Sequence, residues 1–248
     1  MKFITSTDNK IYKQTKKLLL KSERDKTGLF IAEGRRIAEE AVQCGVAEYI
    51  VVSESFGNFE ADIPLYSVTD KMFSAVSETE TTQGILAVCK YEKKRIGDIK
   101  GHTLIICDKV SDPGNLGTVI RTAEASGVSG ILLLKGTVDP YSPKVVRSTM
   151  GSIFRMPLYF CEIKDLQNLS EYDIVATVLN AKESLYEAEF GKNNAIVIGN
   201  EAHGVSDEVI KMSKKLIKIP MEGKSESLNA SVAGAVVMYE FLRRRGVK

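Results

Sequence analysis

The chain contains few of the residues from which metal sites and disulfide frameworks are built. Among its 248 residues are two histidines, four cysteines and no tryptophan. The cysteines occur singly, with no C-x-x-C pair, and each lies in an apolar stretch. This pattern is typical of reduced core residues and not of zinc ligands. With only two histidines a multi-histidine metal centre is excluded, and we expect no metal.

Long apolar runs are also missing. No segment reaches the roughly 18 apolar residues that a membrane span requires, and the N-terminal residues are not followed by the apolar region of a secretion signal. The apolar content of 44% and the charged content of 27% are those of a globular protein, and the length allows one large or two small domains. We therefore expect a cytoplasmic protein with no membrane association.

The two common nucleotide-binding signatures are absent as well. No apolar run ends in G-x-G-x-x-G with an acidic residue about 20 positions further on, and the chain has no G-x-x-x-x-G-K-[ST] motif. A dinucleotide site of the Rossmann type and a P-loop are therefore not expected. Any nucleotide-like ligand must be bound in another way.

Positive charge is concentrated at the N-terminal end. Positions 1 to 36 contain ten Lys or Arg residues and four acids, whereas the whole chain has a net charge of +2. A locally basic end on a near-neutral chain is typical of proteins that bind a phosphate backbone, although a solvated amphipathic helix gives the same pattern. The candidate RNA-binding residues, which include two from a later basic helix, are Lys13, Lys16, Lys17, Arg24, Arg35, Arg36, Lys144 and Arg147.

Strand and helix patterns alternate in the first 90 residues. Helical spacing from Asn9 to Lys21 is followed by a turn at 25–28. Two further helices are predicted, over 33–44 and 69–76, and short apolar runs predict four strands, at 29–32, 49–52, 64–68 and 84–89. This alternation predicts a small α/β domain over residues 1–90. The polar, Lys-rich segment 91–101 is predicted to be a linker.

The remainder, from 102 to 248, has the pattern of a parallel α/β domain. Five apolar runs typical of buried parallel strands occur at 103–107, 131–134, 174–178, 195–198 and 216–219. Three polar loops containing glycine follow such runs, at 112–118, 199–204 and 221–231. In open α/β sheets, ligands bind beyond the carboxyl ends of the strands, where loop amides and helix N-termini point at them. These loops are candidates for a shared ligand site, although Asn115 and Asn229 could instead be ordinary helix caps.

Three ordered motifs in these loops resemble those of the SpoU (TrmH) family of RNA ribose 2'-O-methyltransferases. They are Asn115-x-Gly117-x-x-x-Arg121-Thr122-Ala123, then Gly199-x-Glu201-x-x-Gly204, and finally Ile219-Pro220-Met221 followed by Ser227-Leu228-Asn229-x-Ser231. Upstream, Gly28-Leu29-Phe30-Ile31-Ala32-Glu33-Gly34 is similar to the start of the ribosomal-protein-like RNA-binding domain that precedes the catalytic domain in many members. The resemblance therefore covers nearly the whole chain.

The resemblance implies an α/β fold of the SPOUT superfamily. The methyltransferase domain, over 102–248, would have a parallel sheet whose C-terminal part is threaded into a deep trefoil knot, which bottom-up reasoning alone would reject because knots are rare. A small α/β RNA-binding domain would precede it. The resemblance further implies that the protein binds S-adenosylmethionine within the knot and is a homodimer.

Family roles carry over to matching positions. Arg121 corresponds to the arginine at the target ribose, and the polar residues between methyl donor and RNA correspond to Asn115, Glu201, Ser227 and Asn229. The S-adenosylmethionine pocket corresponds to Thr177, Val178, Leu179, Gly199, Asn200, Gly204, Ile219, Met221, Ser227 and Leu228. Because a guanidinium is effectively always protonated, Arg121 is better suited to gripping a phosphate and stabilising a developing alkoxide than to accepting a proton.

The substrate within this class is less strongly indicated. A two-domain arrangement favours ribosomal RNA, and 23S rRNA in particular, over transfer RNA. A transfer-RNA target and an rRNA modification that confers antibiotic resistance remain open, and so does a non-catalytic ribosome-assembly protein that keeps the same fold. The motifs identify neither the nucleotide nor whether the substrate is free RNA or an assembled subunit.

Overall fold

The computed structural model describes residues 1–94 and 96–246. The chain forms two compact units. The N-terminal unit consists of Met1–Glu92 and Asp139–Arg155, and the C-terminal unit consists of Lys93–Val138 and Met156–Lys248. Segment 139–155 thus belongs by its contacts to the N-terminal unit, although the sequence pattern grouped it with the methyltransferase domain.

The N-terminal unit is built on a mixed five-stranded sheet. Its elements up to residue 90 are β1 (Lys2–Ile4), α1 (Lys10–Lys17), α2 (Lys21–Thr27), β2 (Leu29–Glu33), α3 (Arg35–Gln43), β3 (Ala47–Ser53), β4 (Leu65–Val68), α4 (Asp70–Ser74) and β5 (Ile85–Lys90). The strand order is β1-β4-β3-β5-β2, with β5 antiparallel to both of its neighbours and the other pairs parallel. A core that includes Ile31, Val51 and Phe73 covers one part of this sheet.

Two helices replace the single helix predicted over 9–21. Helix α1 ends before Leu20, whose backbone is extended, and α2 then runs to Gly28, which ends it with a φ of 68°. The guanidinium of Arg24 donates hydrogen bonds to the carbonyl oxygens of Leu18 and Leu19, at 2.7 and 2.8 Å. Carbonyls at the end of a helix have no partner within that helix, so Arg24 stabilises the break. The predicted turn at 25–28 is the last turn of α2.

The C-terminal unit contains a seven-stranded sheet in which every pair is parallel. The remaining elements of the chain are β6 (Thr103–Cys107), α5 (Pro113–Ala125), β7 (Gly130–Leu134), α6 (Pro143–Ser148), β8 (Leu158–Cys161), β9 (Asp173–Thr177), β10 (Glu183–Ser184), β11 (Asn194–Ile198), α7 (Asp207–Met212), β12 (Lys215–Lys218) and α8 (Ala230–Arg244). The strand order is β10-β12-β9-β11-β6-β7-β8. Helix α6 lies in the N-terminal unit, where it contacts β2.

The last part of the chain returns across this sheet. Strand β12 lies next to the edge, between β9 and β10, whereas α8 contacts α5 and β11 nearer the centre. Residues 219–229, which we call the crossing segment, make this return. A Cβ atom at Gly234 would lie 2.6 Å from Cδ1 of Ile198, so a small residue lets α8 approach β11 closely. A crossing of this kind is needed for the knot, whose threading stays a prediction.

Candidate active site

A cavity of about 690 Å³ opens at the carboxyl ends of β9, β11 and β12. Its size falls within the range of about 300–1,000 Å³ that is typical of small-molecule sites. The loop after β11 and the crossing segment complete its lining. All ten residues that the resemblance assigns to S-adenosylmethionine line it, namely Thr177, Val178, Leu179, Gly199, Asn200, Gly204, Ile219, Met221, Ser227 and Leu228.

The loop after β11 folds back on itself. Asn200 and Gly204 exchange two backbone hydrogen bonds of 2.9 Å each. A Cβ atom at Gly199 would lie 2.3 Å from the carbonyl carbon of Gly204. Because this distance is far below van der Waals contact, only glycine permits the fold-back without a shift of the backbone.

The side chain of Asn200 holds this loop in place. Its Oδ1 accepts hydrogen bonds from the backbone N–H groups of Ala202 and His203, at 2.9 and 3.0 Å. Its Nδ2 donates to the carbonyl oxygen of Lys109 at 2.8 Å. Both polar atoms of the amide therefore help to shape the cavity, and contact of Asn200 with S-adenosylmethionine stays a prediction.

The carboxylate of Glu201 is held by the loop after β6. Its Oε2 accepts from the N–H and the hydroxyl of Ser111 at 3.1 and 2.7 Å, and its Oε1 accepts from the N–H of Asp112 at 3.2 Å and from Nδ2 of Asn115 at 2.9 Å. Burial acts to raise the pKa of Glu201, but the hydrogen bonds from Asn115 and Ser111 outweigh it and lower the pKa to about 2. Glu201 is therefore ionised at neutral pH and is a weak proton acceptor.

Asn115 connects Glu201 to the start of α8. Its Oδ1 accepts from Nδ2 of Asn229 at 2.9 Å and from the hydroxyl of Ser231 at 3.3 Å, while its Nδ2 is committed to Glu201. Asn115 is buried. These contacts determine which way its amide points and tie the first and third motifs together. We call Ser111, Asp112, Asn115, Glu201, Asn229 and Ser231 the Glu201 network.

The helix-cap alternative holds for one of the two asparagines. Asn229 caps α8, because its Oδ1 accepts from the N–H groups of Ser231 and Val232 at 2.9 and 3.3 Å. Asn115 is not a cap. The N-cap of α5 is Asp112, whose Oδ1 accepts from the N–H of Asn115 at 2.8 Å. Asn115 lies within the first turn and reaches out of the helix to other parts of the site.

The sequence analysis missed a buried link beneath this site. Asp108, at the end of β6, is 1% exposed. Its Oδ2 accepts from the N–H and the hydroxyl of Ser206 at 2.7 and 2.6 Å. Ser206 is the N-cap residue of α7 and follows the folded-back loop. An acidic residue that directly follows an apolar strand was the available signal, but its partner is 98 positions away.

Arg121 and Ser227 lie outside the Glu201 network. Ser227 lines the cavity. Arg121 is exposed on α5 and makes no ion pair within the described part of the chain, residues 1–94 and 96–246. It is six positions after Asn115, and at about 100° per residue this places it on a different face of the helix. Arg121 is thus a free cation on the solvent side of α5.

The cavity fits S-adenosylmethionine in chemical type. Apolar side chains such as Val178, Ile219 and Leu228 lie beside backbone groups of the folded-back loop, which suits a ligand that combines an adenine ring with polar sugar and amino-acid parts. Within residues 1–94 and 96–246, no group of three or more His, Cys, Asp or Glu side chains is placed to hold a metal ion. Among the same residues, no helix is both long and apolar enough to cross a bilayer.

Two of the cations proposed for RNA lie close to carboxylates within the N-terminal unit. The side chain of Arg24 is 5% exposed and pairs with Asp139 at 2.6 Å. Arg147 is half-buried and faces the buried carboxylate of Glu33 at 3.9 Å. Both arginines thus contact carboxylates of the N-terminal unit, and a role for either in RNA binding stays a prediction. The remaining candidates are exposed, namely Lys13, Lys16, Lys17, Arg35, Arg36 and Lys144.

Comparison with known proteins gives a consistent result over the whole chain. Residues 102–239 match the SpoU rRNA Methylase family, and residues 9–87 match the MRM3-like substrate binding domain. The chain is 36% identical over 250 residues to the 23S rRNA (guanosine(2553)-2'-O)-methyltransferase RlmP of Bacillus subtilis, with 96% of this chain and 98% of that protein aligned.

Solved structures give the same result. The AdoMet-bound rRNA methyltransferase of Sinorhizobium meliloti superimposes with a TM-score of 0.87 at 30% identity, covering 100% of this chain and 99% of that chain. A structure described as an RNA 2'-O ribose methyltransferase superimposes with a TM-score of 0.78 at 30% identity, covering 99% of this chain and 100% of that chain. AdoMet is S-adenosylmethionine, the cofactor that the motifs imply for this chain.

Proposed function

The chain belongs to the SpoU family of RNA 2'-O-ribose methyltransferases, and on that premise we propose that its substrate is 23S ribosomal RNA. The family, the two-part α/β fold and the use of S-adenosylmethionine, all expected from the motifs, are confirmed. The observation that carries the choice of 23S rRNA is the likeness to the Bacillus subtilis enzyme, which extends over nearly the full length of both proteins. A guanosine equivalent to the one named for that enzyme is the first candidate target.

The residues of the site divide the work between holding the cofactor and positioning the ribose. When bound, S-adenosylmethionine supplies an electrophilic methyl group on a sulfonium. Transfer requires the 2'-oxygen to approach in line, so most of the catalytic effect comes from positioning. The Glu201 network keeps the loop after β6, the folded-back loop and the start of α8 in one arrangement. We assign Ser227 to the boundary between cofactor and RNA.

Arg121 has the electrostatic role in this proposal. The S–C bond of the sulfonium would break as the C–O bond forms, and the hydroxyl proton would pass to solvent. Where proton loss runs ahead of C–O bond formation, the 2'-oxygen would carry partial negative charge, which a nearby guanidinium would stabilise. A guanidinium group is a poor proton acceptor in any protein, and Glu201, with its pKa lowered to about 2, remains a carboxylate of low basicity. We therefore assign neither residue as the general base.

RNA recruitment is proposed for the exposed basic residues of the N-terminal unit. Lys13, Lys16 and Lys17 share one face of α1, because residues three and four apart lie side by side on a helix. Arg35 and Arg36 are exposed at the start of α3. Cations at these positions would attract RNA through its phosphates. In this proposal residues 1–90 bind the RNA substrate, residues 91–101 link the two domains, and residues 102–248 carry out methyl transfer. The reaction takes place in the cytoplasm.

We also propose that the protein is a homodimer. Val232 and Tyr239 are large apolar side chains on α8 that are 48% and 51% exposed. They are seven positions apart and therefore share one helix face. An exposed apolar helix face is typical of a protein interface. Sedimentation of the wild type as a dimer and of Tyr239→Arg as a monomer is expected; a monomeric wild type would refute the dimer.

One experiment tests the proposed substrate directly. Ribose methylation is mapped across total RNA from cells with and without the gene, and purified protein with S-adenosylmethionine is then added to the unmethylated RNA and to isolated subunits. Loss and restoration of a single site in 23S rRNA supports the proposal. A site in transfer RNA instead would replace the substrate, and no changed site together with no cofactor binding would favour the assembly-factor alternative.

A further inference from the structure

A second cavity lies in the N-terminal unit, at the carboxyl ends of parallel strands of the mixed sheet. Strands β2, β3 and β4 run in the same direction and end here, where the antiparallel β5 begins. The cavity measures about 340 Å³, and none of its residues lines the cofactor cavity. The residues that matter for its chemistry are Ser53, Ser55, Phe56, Asp70 and Gln83. The proposed function gives this cavity no role.

Gly84 keeps this cavity open. Its φ is +72°, and a Cβ atom there would lie 2.6 Å from Oγ of Ser53 and 3.5 Å from Cβ of Phe56. A side chain at this position would therefore push against the Ser53 hydroxyl and fill the space in contact with Phe56. Glycine allows the start of β5 to pass close to the end of β3 while leaving the space beside Phe56 free.

The polar lining of the cavity is suited to a hydrogen-bond donor. Oδ1 of Asp70 accepts from the N–H and the hydroxyl of Ser55, at 3.2 and 2.8 Å. These bonds lower the pKa of Asp70, so it is a carboxylate, which accepts hydrogen bonds and donates none. A carboxylate repels phosphate but pairs well with N–H groups on the edge of a nucleobase.

The mouth of the cavity carries an aromatic ring beside one cation. The guanidinium of Arg35 lies 5.8 Å from the centre of the Phe56 ring, and the backbone N–H of Arg35 donates to Oε1 of Gln83 at 2.9 Å. Arg36, next in the chain, is exposed. Sites for single-stranded RNA combine cations that follow the backbone with aromatic side chains on which bases stack. The same combination occurs here.

We propose that this cavity binds one unpaired guanine of the substrate RNA, with the base against Phe56, its N1–H and N2–H₂ groups on the carboxylate of Asp70, and the adjoining phosphates near Arg35 and Arg36. Guanine is the base that presents two adjacent donors, which match the two oxygens of a carboxylate. This inference rests on the proposed function, because it assumes an RNA substrate, and it adds base recognition to the N-terminal unit.

The test measures binding of labelled RNA heptamers to the full-length protein. Each heptamer is uridine except at its centre, which is guanosine, inosine, adenosine or uridine, and dissociation constants are read by fluorescence anisotropy. We expect the guanosine heptamer to bind about tenfold more tightly than the all-uridine one. The inosine heptamer, which lacks the 2-amino group, is expected to bind about threefold more tightly than the all-uridine one. Equal binding of all four would overturn the proposal.

Substitutions locate the preference in the cavity. Phe56→Leu is expected to weaken the guanosine heptamer about fivefold or more, since stacking on an aromatic ring contributes strongly to single-strand binding, and Phe56→Tyr should retain it. Asp70→Asn should abolish the preference for guanosine over uridine. Phe59→Ala is the matched control, because Phe59 is also half-buried, three positions away, and lines a different cavity. A loss equal to that of Phe56→Leu in this control would refute the site.

Methyl transfer separates this inference from the function on which it rests. Phe56→Leu should raise KM for RNA while kcat stays at the wild-type value, because Phe56 does not line the cofactor cavity. Unchanged KM with normal transfer would refute the guanine site and leave the proposed function intact. A clear guanosine preference in a protein that methylates no 23S rRNA would support the guanine site and refute the proposed function.

Discussion

The two sheets of this protein both end in cavities, but the two cavities are held by different means. The one in the C-terminal unit is enclosed by a loop that bonds to itself and by a carboxylate that accepts four hydrogen bonds from one neighbouring loop and helix. The carboxylate of the cavity in the N-terminal unit, Asp70, accepts two hydrogen bonds from the single residue Ser55. The many internal hydrogen bonds of the first cavity hold its lining residues in one arrangement. The second cavity has fewer such bonds, so its binding free energy would come from several separate contacts with the ligand.

Another carboxylate that accepts several hydrogen bonds occurs in the N-terminal unit, and this one is buried. Glu33, at the end of β2, accepts hydrogen bonds from the hydroxyls of Ser77, Thr79 and Thr82. It ties the loop before β5 to the sheet, as Glu201 ties two loops together. The difference is that the Glu201 network borders a cavity. Substitutions near Glu201 should therefore affect catalysis, whereas substitutions of the exposed basic residues of the N-terminal unit should each weaken RNA binding by a small factor.

The largest effect is expected for Arg121→Ala. Removing the cation that stabilises charge at the ribose should lower the rate of methyl transfer about 10²- to 10³-fold, with unchanged affinity for S-adenosylmethionine, because Arg121 does not line the cavity. Single-turnover kinetics and calorimetry measure the two quantities. Thr118→Ala, at another exposed position on α5, serves as the control and should be close to wild type. Near-normal turnover of Arg121→Ala would remove Arg121 from the mechanism.

A large effect on cofactor affinity is expected for Gly199→Ala. The added methyl group would meet the Gly204 backbone at 2.3 Å, and overpacking of this kind typically costs about 1–3 kcal/mol. We expect the affinity for S-adenosylmethionine to fall about tenfold or more by calorimetry. Gly223→Ala is the matched control, since a Cβ atom there would have no neighbour within 4 Å. Equal affinities of the two variants would contradict the close-packed loop.

A moderate effect is expected from pH on the Glu201 network. The folded-state pKa of Glu201 is lowered to about 2, so its contribution to stability is fully present above its unfolded pKa of about 4.3 and is lost as pH falls towards 2. The difference in unfolding free energy between wild type and Glu201→Gln should therefore shrink over this range.

A second carboxylate titrates in the same window and must be separated from the first. The hydrogen bond from Arg243 is the largest cause that lowers the pKa of Glu240, also to about 2. Glu240 is present in both proteins, so its contribution cancels in the difference. Urea unfolding at several pH values between 3 and 7 gives the measurement. A difference independent of pH would show that the network does not depend on ionised Glu201.

The smallest effect is expected for the exposed lysines of α1, which we propose to contact RNA. Lys16→Gln should weaken RNA binding a few-fold at low salt, by a similar factor for different sequences, and reduce the salt dependence of log K by about 0.7–0.9. Anisotropy titrations at several salt concentrations measure both changes. Lys164→Gln removes the same charge from an exposed site of the C-terminal unit. If both variants behave alike, net charge and not α1 explains the attraction.

The helix and strand patterns predicted the central strands of each sheet and the edge strand β2, but not the other edge strands. The strong apolar runs of β6, β7, β9, β11 and β12 all form strands. The short edge strands β1 and β10 and the strand β8 were missed, because brief segments at an edge carry little periodicity. The break after α1 was missed for another reason. It depends on hydrogen bonds from the Arg24 side chain to the carbonyls of Leu18 and Leu19, and the helix propensities of the residues in this stretch do not reveal it.

The sequence by itself determined the family and the cofactor class, because both follow from the order and spacing of three motifs along the chain. The ten residues assigned to S-adenosylmethionine line one cavity, and their contact with the cofactor stays a prediction. Only the tertiary structure decided which charged and polar residues are free. Arg24 meets Asp139 across 115 positions, and Asn115 meets Asn229 across 114. A lysine-rich helix looks the same in sequence whether its cations face water or a buried carboxylate. That choice is made by contacts between distant parts of the chain, which local composition does not record.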